Sequence, residues 1–256
     1  MKKGKAILAV LLTIAAAVPL AACAKSNSGT VTISTNAEFE PFEYKSKNQI
    51  VGIDIDISNK IADKLGKTLQ VRDVPFKTLT NELDAGKCDF VAAGMTVNED
   101  RKKNVDFSDT YFDATQSIIV LKDSAIKARA DLNGKKVGVQ QGTTGDDFCT
   151  NKDGKSDIHV GEVKRYDKAV DAISDLMAGR LDAVIIDDFP AQKFVSKNPD
   201  KIKKLDDALT VEHYALAVKK GNTELLKTIN EVIGELKSSG ELDKIIDKYK
   251  TALEGD

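Results

Sequence analysis

Apolar positions after residue 29 fall into short strand-like runs that alternate with helix-like spacings. Val31-Thr32-Ile33-Ser34 reads as a strand, and Ile57, Ile61 and Leu65 recur every fourth position on one helical face that Gly66 closes. Leu69-Gln70-Val71-Arg72-Asp73-Val74 predicts a second strand. Residues 78–85 predict a helix stopped by Gly86, and Asp89-Phe90-Val91-Ala92-Ala93 a third strand. Such βαβαβ alternation implies an α/β domain with a mostly parallel sheet. The pattern then restarts. Lys136-Val137-Gly138-Val139-Gln140 is strand-like, and residues 167–178 carry Ala169, Val170, Ile173, Leu176 and Met177 on one helical side. Residues 181–186 form the continuous apolar run of a strand covered on both faces.

The restart is close to a repeat. Leu83-Asp84-Ala85-Gly86-Lys87-Cys88-Asp89-Phe90-Val91 lies beside Leu176-Met177-Ala178-Gly179-Arg180-Leu181-Asp182-Ala183-Val184 at a constant offset of 93, with Leu, Ala, Gly, a base, Asp and Val coinciding. Both stretches are a helix end, a Gly cap and a following strand, so two lobes of similar plan are expected. The C-terminal part starts no third lobe: Tyr214-Ala215-Leu216-Ala217-Val218 reads as a strand, and residues 223–237 and 241–250 as helices broken at Gly240. We expect lobe 1 to comprise residues 30–121 and 214–256 and lobe 2 residues 122–213. The chain would cross near 121–124 and return near 212–214, leaving a hinge and a cleft.

The N-terminus is of another kind. Lys2, Lys3 and Lys5 precede an apolar run over residues 6–20, and Leu20-Ala21-Ala22-Cys23 follows. This reads as a signal peptide over residues 1–22. The L-A-A-C ending resembles the bacterial lipobox, in which Cys23 would be diacylated and residues 24–29 would form a polar tether. Without the leader, 35 basic residues face 40 acidic ones, so a basic nucleic-acid-binding surface is excluded. With 41% hydrophobic and 30% charged residues over 256 positions, a packed core is expected rather than wholesale disorder. Cys88 and Cys149 read as two separate buried thiols rather than a disulfide framework. With His159 and His213 they show no metal-ligand spacing. No G-x-x-x-x-G-K-[ST] run is present, and no cofactor is expected.

Ligands of open parallel sheets bind beyond the carboxyl ends of the strands. Three polar stretches sit there. Gly94-Met95-Thr96 and Arg101 follow residues 89–93, Gln141, Thr143 and Thr144 follow residues 136–140, and Asp187 follows residues 181–186. Arg101 offers a planar fork for a carboxylate. Thr96 adds a hydroxyl, Gly94 admits close approach to the backbone, and Thr143 and Thr144 offer hydroxyl and N–H groups at a helix start. Asp187 can accept from an ammonium. Opposed anchors suit a zwitterion, of which an α-amino acid is the common small case. Singly, each residue has a plainer reading: Arg101 as a solvated charge, Asp187 or Asp188 as a helix cap, Gly142-Thr143-Thr144 as a turn.

Taken together, the chain resembles the extracellular amino-acid-binding proteins of bacterial ABC importers. The resemblance rests on Thr35-Asn36-Ala37-Glu38-Phe39-Glu40-Pro41-Phe42-Glu43, Val51-Gly52-Ile53-Asp54-Ile55-Asp56-Ile57, Met95-Thr96-Val97-Asn98-Glu99-Asp100-Arg101, Val105-Asp106-Phe107-Ser108, Val137-Gly138-Val139-Gln140-Gln141-Gly142-Thr143 and Gly179-Arg180-Leu181-Asp182-Ala183. It implies an α/β, two-lobed, type II periplasmic-binding-protein-like fold with two hinge crossovers. It further implies that Arg101 holds the ligand carboxylate, helped by Thr96 and by N–H groups near Thr96 and Thr144. Asp187 and the Gly94 carbonyl would hold the ammonium, and Phe39 and Phe76 would pack on the ligand. Many relatives carry Asp where this chain has Asn36, and Ile186 is apolar where some are polar, which leans toward a neutral or modestly polar amino acid over Lys or Arg. The implied partners are a membrane permease and a cytoplasmic ATPase. The protein would be a monomer, exported and tethered through Cys23 to the outer face of the cell membrane. Two rival readings share the fold, an exported cyclohexadienyl dehydratase-like enzyme and a ligand-sensing ectodomain.

Overall fold

A computed structural model describes residues 29–152, 154 and 156–254. The leader and Cys23 lie outside the described residues. The chain opens with β1 (Thr30–Thr35), a small antiparallel sheet of β2 (Glu38–Phe39), β3 (Glu43–Ser46) and β4 (Gln49–Val51), and α1 (Ile53–Leu65). Next come β5 (Thr68–Asp73), α2 (Leu79–Asp84), β6 (Phe90–Val91), α3 (Glu99–Lys102), β7 (Val105–Phe107) and β8 (Phe112–Ala114). The second part holds β9 (Gln116–Leu121), β10 (Lys136–Gln140), α4 (Thr144–Cys149), β11 (Glu162–Tyr166), α5 (Ala169–Met177), β12 (Ala183–Asp187), α6 (Asp188–Lys197) and β13 (Ile202–Lys204). β14 (Glu212–Tyr214) leads back to β15 (Ala217–Lys219), α7 (Thr223–Ser238) and α8 (Glu241–Glu254).

Two five-stranded sheets result, ordered β5-β1-β6-β15-β7 and β11-β10-β12-β9-β13. They match position by position. The first three strands of each are parallel, and the fourth, β15 or β9, is antiparallel to its neighbours. The predicted repeat falls on equivalent places. Gly86 and Gly179 close α2 and α5 at φ 66° and 70°, where a side chain would be strained. Asp89 then clips β6 to β1: its Oδ2 accepts from the Thr32 N–H at 2.7 Å and its own N–H donates to the Thr32 carbonyl at 2.8 Å. Asp182 clips β12 to β10 in the same way through Lys136, at 2.8 and 2.9 Å. The α1 prediction holds as well: Ile53, Ile57 and Ile61 are fully buried, and Gly66 takes the left-handed cap.

The first crossover differs from expectation, while the return falls at 212–214 as expected. Residues 116–121, assigned above to lobe 1, form β9 and pair with β12 and β13 in the second sheet. The chain therefore crosses at β8, ahead of residues 121–124, and β8 pairs with β14 to make a two-stranded hinge ribbon. The strand expected over 214–218 is two strands, because Tyr214 belongs to that ribbon and Ala217 to the first sheet. Cys88 and Cys149 are unbridged, buried and in different lobes; burial pushes the Cys149 thiol up to about 12.

Candidate functional site: the cleft between the lobes

The loop after β6 turns at Gly94. Its φ is 50°, and a Cβ there would come within 2.8 Å of the Phe39 ring, so the close approach requires glycine. The Gly94 N–H donates to Asp54 Oδ2 at 2.8 Å, and Tyr111 Oη donates to Asp54 Oδ1 at 2.6 Å, which fixes the loop on the N-terminus of α1. Burial still raises the Asp54 carboxyl, to about 6, against these two bonds and a third from the Glu43 carboxyl, all of which lower it. Beyond the loop, Asn98 caps α3 by accepting from the Arg101 N–H at 2.8 Å. The cap turns Arg101 back over the cleft. Its guanidinium donates to the Thr96 carbonyl at 2.6 Å and, across the lobe boundary, to the Gly142 carbonyl at 3.1 Å. It lies 5.4 Å from the centre of the Phe76 ring.

From the second lobe, β12 ends at Asp187. That residue occupies the cap position of α6 but makes no side-chain cap bond, so its carboxylate is turned elsewhere. Its Oδ1 accepts from the Tyr214 hydroxyl of the hinge ribbon. Burial, and then the charge of Glu212, raise the Asp187 carboxyl above the usual carboxylate range. Thr143 caps α4, accepting from the Asp146 N–H at 3.3 Å, which places Thr144 beside it at the cleft.

These groups converge. One small cavity is lined by Asn36, Phe39, Phe76, Gly94, Thr96 and Arg101 from the first lobe and by Thr143, Thr144 and Asp187 from the second. Two predicted residues are not in that lining. Met95 is buried against Leu79, Leu83 and Val105 in the core beneath. Gln141 turns outward, where its Oε1 accepts from Lys77 Nζ at 3.1 Å. In their places the cavity takes Gln140 and Glu43. Gln140 Nε2 donates to Asn36 Oδ1 at 2.8 Å, joining the lobes, while Asn36 Nδ2 donates to the Val74 carbonyl at 3.1 Å. Glu43 is fully buried, and its carboxyl meets only another acid, that of Asp54, as a hydrogen-bond partner among the described residues. Burial, and then the neighbouring Asp54 and Asp187, hold its carboxyl well above the ordinary value. Strand alternation carried the signal for Gln140: at the end of β10, successive side chains face opposite sides, and 140 rather than 141 has the cavity side.

A two-lobed α/β molecule with a polar inter-lobe cavity on a hinge has the architecture of type II solute-binding proteins. The chain belongs to the bacterial extracellular solute-binding proteins, family 3, which match residues 31–252. The family name places it among exported proteins. It is 34% identical over 253 residues to the arginine-binding extracellular protein ArtP of Bacillus subtilis (strain 168), covering 94% of this chain and 97% of ArtP. A mutant of the arginine-binding protein ArgBP from T. maritima superposes with a TM-score of 0.80 at 44% identity, covering 87% of this chain and 96% of the other. An ancestral arginine-binding protein bound to arginine gives 0.79 at 42%, covering 86% and 98%. Another structure of an ancestral arginine-binding protein, bound to glutamine, gives 0.79 at 41%, covering 86% and 97%. These relatives are named as binding proteins, not enzymes.

Proposed function

We propose that this protein captures an α-amino acid between its lobes and delivers it to an ABC permease. The observation that carries the reading is the single cavity with Arg101 from one lobe and Asp187 from the other. Arg101 pairs with the ligand carboxylate, and Asp187 accepts from the ammonium. Thr96 serves the ammonium end too, because its hydroxyl proton is donated to Glu212 at 2.6 Å and only lone pairs remain for the ligand. Phe39 and Phe76 pack on the ligand body. Closure of the lobes excludes water and strengthens both ionic contacts.

The side-chain end favours a cation, arginine first, against the lean drawn from Asn36. Glu43 offers the carboxyl that Asn36 lacks: burial and the neighbouring acids hold it toward its protonated form in the empty cleft, and a cation beside it favours the ionised one. A guanidinium beside it satisfies both oxygens. That relatives and superposing structures are named for arginine agrees with this reading. We extend the proposal to the N-terminus: Cys23 carries the lipid that keeps the domain at the outer face of the membrane, beside the permease and its ATPase.

The test is thermal shift across the twenty amino acids. A ligand at a hundred times Kd stabilises by about 2.7 kcal/mol. Arginine gives the largest shift, and Arg101→Ala and Asp187→Ala each abolish it while the unliganded melting temperature stays near that of the parent. Near-parental affinity in either variant would place the zwitterion elsewhere.

A further inference from the structure

Glu212 contacts the cleft from behind. It lies on the hinge strand β14, is 5% exposed, and pairs through its backbone with Ala114 of β8. Its Oε2 accepts from the Thr96 hydroxyl of one lobe at 2.6 Å and from the Thr144 hydroxyl of the other at 2.9 Å. Its Oε1 accepts from the Thr210 hydroxyl at 2.8 Å. Gln116 Nε2 completes the cluster, 3.1 Å from Thr144 Oγ1 and 3.5 Å from Glu212 Oε2. The same hinge strand flanks the loop that carries Thr96: Val97 N–H donates to the His213 carbonyl at 2.9 Å, and Thr96 bridges Tyr214.

We infer that Glu212 is a positioning residue that bridges Thr96 and Thr144 across the two lobes and so ties the orientation of both hydroxyls to closure of the hinge. The inference rests on the amino-acid-binding reading above. A carboxylate only accepts, so both threonine protons turn toward Glu212 and away from the cavity. One oxygen serves both lobes, so separating the lobes must lengthen at least one of the two bonds. The bridge therefore belongs to the closed form, and a ligand gains affinity from it only after closure. A group that acts this way slows release and leaves capture nearly unchanged.

The experiment measures association and dissociation rates of arginine on the full chain. Glu212→Ala raises koff by about 10- to 100-fold, the loss expected for charged hydrogen bonds, with kon within a few-fold of the parent. Glu212→Gln restores most of the difference, because its amide oxygen still accepts from both hydroxyls. In a Thr96→Val/Thr144→Val background, Glu212→Ala adds less than about twofold to koff, since both hydroxyls it bridges are gone and only Thr210 and Gln116 remain beside it. A Glu212→Ala variant that releases arginine at the parental rate overturns the inference while Arg101→Ala still loses binding. The same holds if Glu212→Ala costs as much in the double-valine background. If Arg101→Ala also binds normally, the site reading fails and takes the inference with it. Should Glu212→Ala not fold, the Thr96→Val and Thr144→Val cycle decides: a shared acceptor makes their effects on koff non-additive, and strict additivity overturns the bridge.

Discussion

In the proposed reading, ligand choice turns on Glu43. Removing one partner of a desolvated charge pair costs several kcal/mol, so Glu43→Gln should weaken arginine on the order of 100-fold. Glutamine, with no charge to lose, should bind within a few-fold of its parental affinity, as isothermal calorimetry would show. The pH dependence has a definite sign. The free Glu43 carboxyl is raised by burial and by Asp54 and Asp187, the acids that face it, with Asp73 further off. A cation beside it lowers it. The arginine complex then holds fewer protons than the free protein, so arginine affinity rises as pH rises through the free-state value and levels off above it. Calorimetry in buffers of different ionisation enthalpy would register the released proton, and a pH-independent arginine affinity would remove Glu43 from the contact. This residue was visible in the sequence as the last position of a matched stretch, yet nothing local marked it. Its orientation is set by the β2–β3 turn folding onto α1, where Gly52 passes so close to Phe42 that a Cβ would lie 2.0 Å from the Phe42 carbonyl oxygen. The placement of Arg101 and Asp187 at the cavity was legible because strand ends announce themselves. Gln140 was lost to a one-residue parity difference.

At the level of elements, the repeated helix-cap-strand unit was the most legible part of the fold, because its signals are local: a Gly with positive φ, a buried Leu and an Asp that reaches an adjacent strand. The two aspartate clips make equivalent bonds in separate sheets, and both side chains are exposed. Each hydrogen bond is worth about 1 kcal/mol net, or roughly 2–4 °C in a domain this large. Asp89→Ala and Asp182→Ala should each lower the melting temperature by that amount. Because the sites share no partner, the double variant should lose the sum. Ligand affinity should not move in any of the three, since neither clip touches the cavity. A shortfall from additivity in differential scanning calorimetry would mean that the lobes do not unfold as one cooperative unit.

The whole molecule was legible as two lobes but not as to where they join. β8 and β14 are three residues each, too short to carry a period, and β9 is an apolar run that either sheet could have buried. What the structure adds at this scale is a set of ion pairs across the cleft. Glu40 on the first lobe meets Lys197 at 2.8 Å and Lys193 at 3.4 Å, Glu38 meets Lys168, and Asp100 meets Lys152 at 3.1 Å. Lys77 meets Asp167 in the opposite sense at 2.7 Å. Lys193 is buried; each of the other pairs joins partly exposed side chains, is worth no more than about 1 kcal/mol and is screened by salt. They act together, however, and only when the lobes are shut, so their effect falls on the closed population and not on the encounter. A neutral amino acid such as glutamine is the right probe, because a cation would also be steered by the net negative charge. Raising NaCl from about 0.05 to 0.5 M, which takes the screening length well below 10 Å, should increase glutamine koff several-fold with kon nearly constant. Glu38→Gln/Glu40→Gln should raise koff at low salt by about 10-fold, the sum of the lost pairs, and should flatten most of the salt response. Salt dependence confined to kon would mean that these pairs are surface decoration and that closure is held by the cavity groups alone.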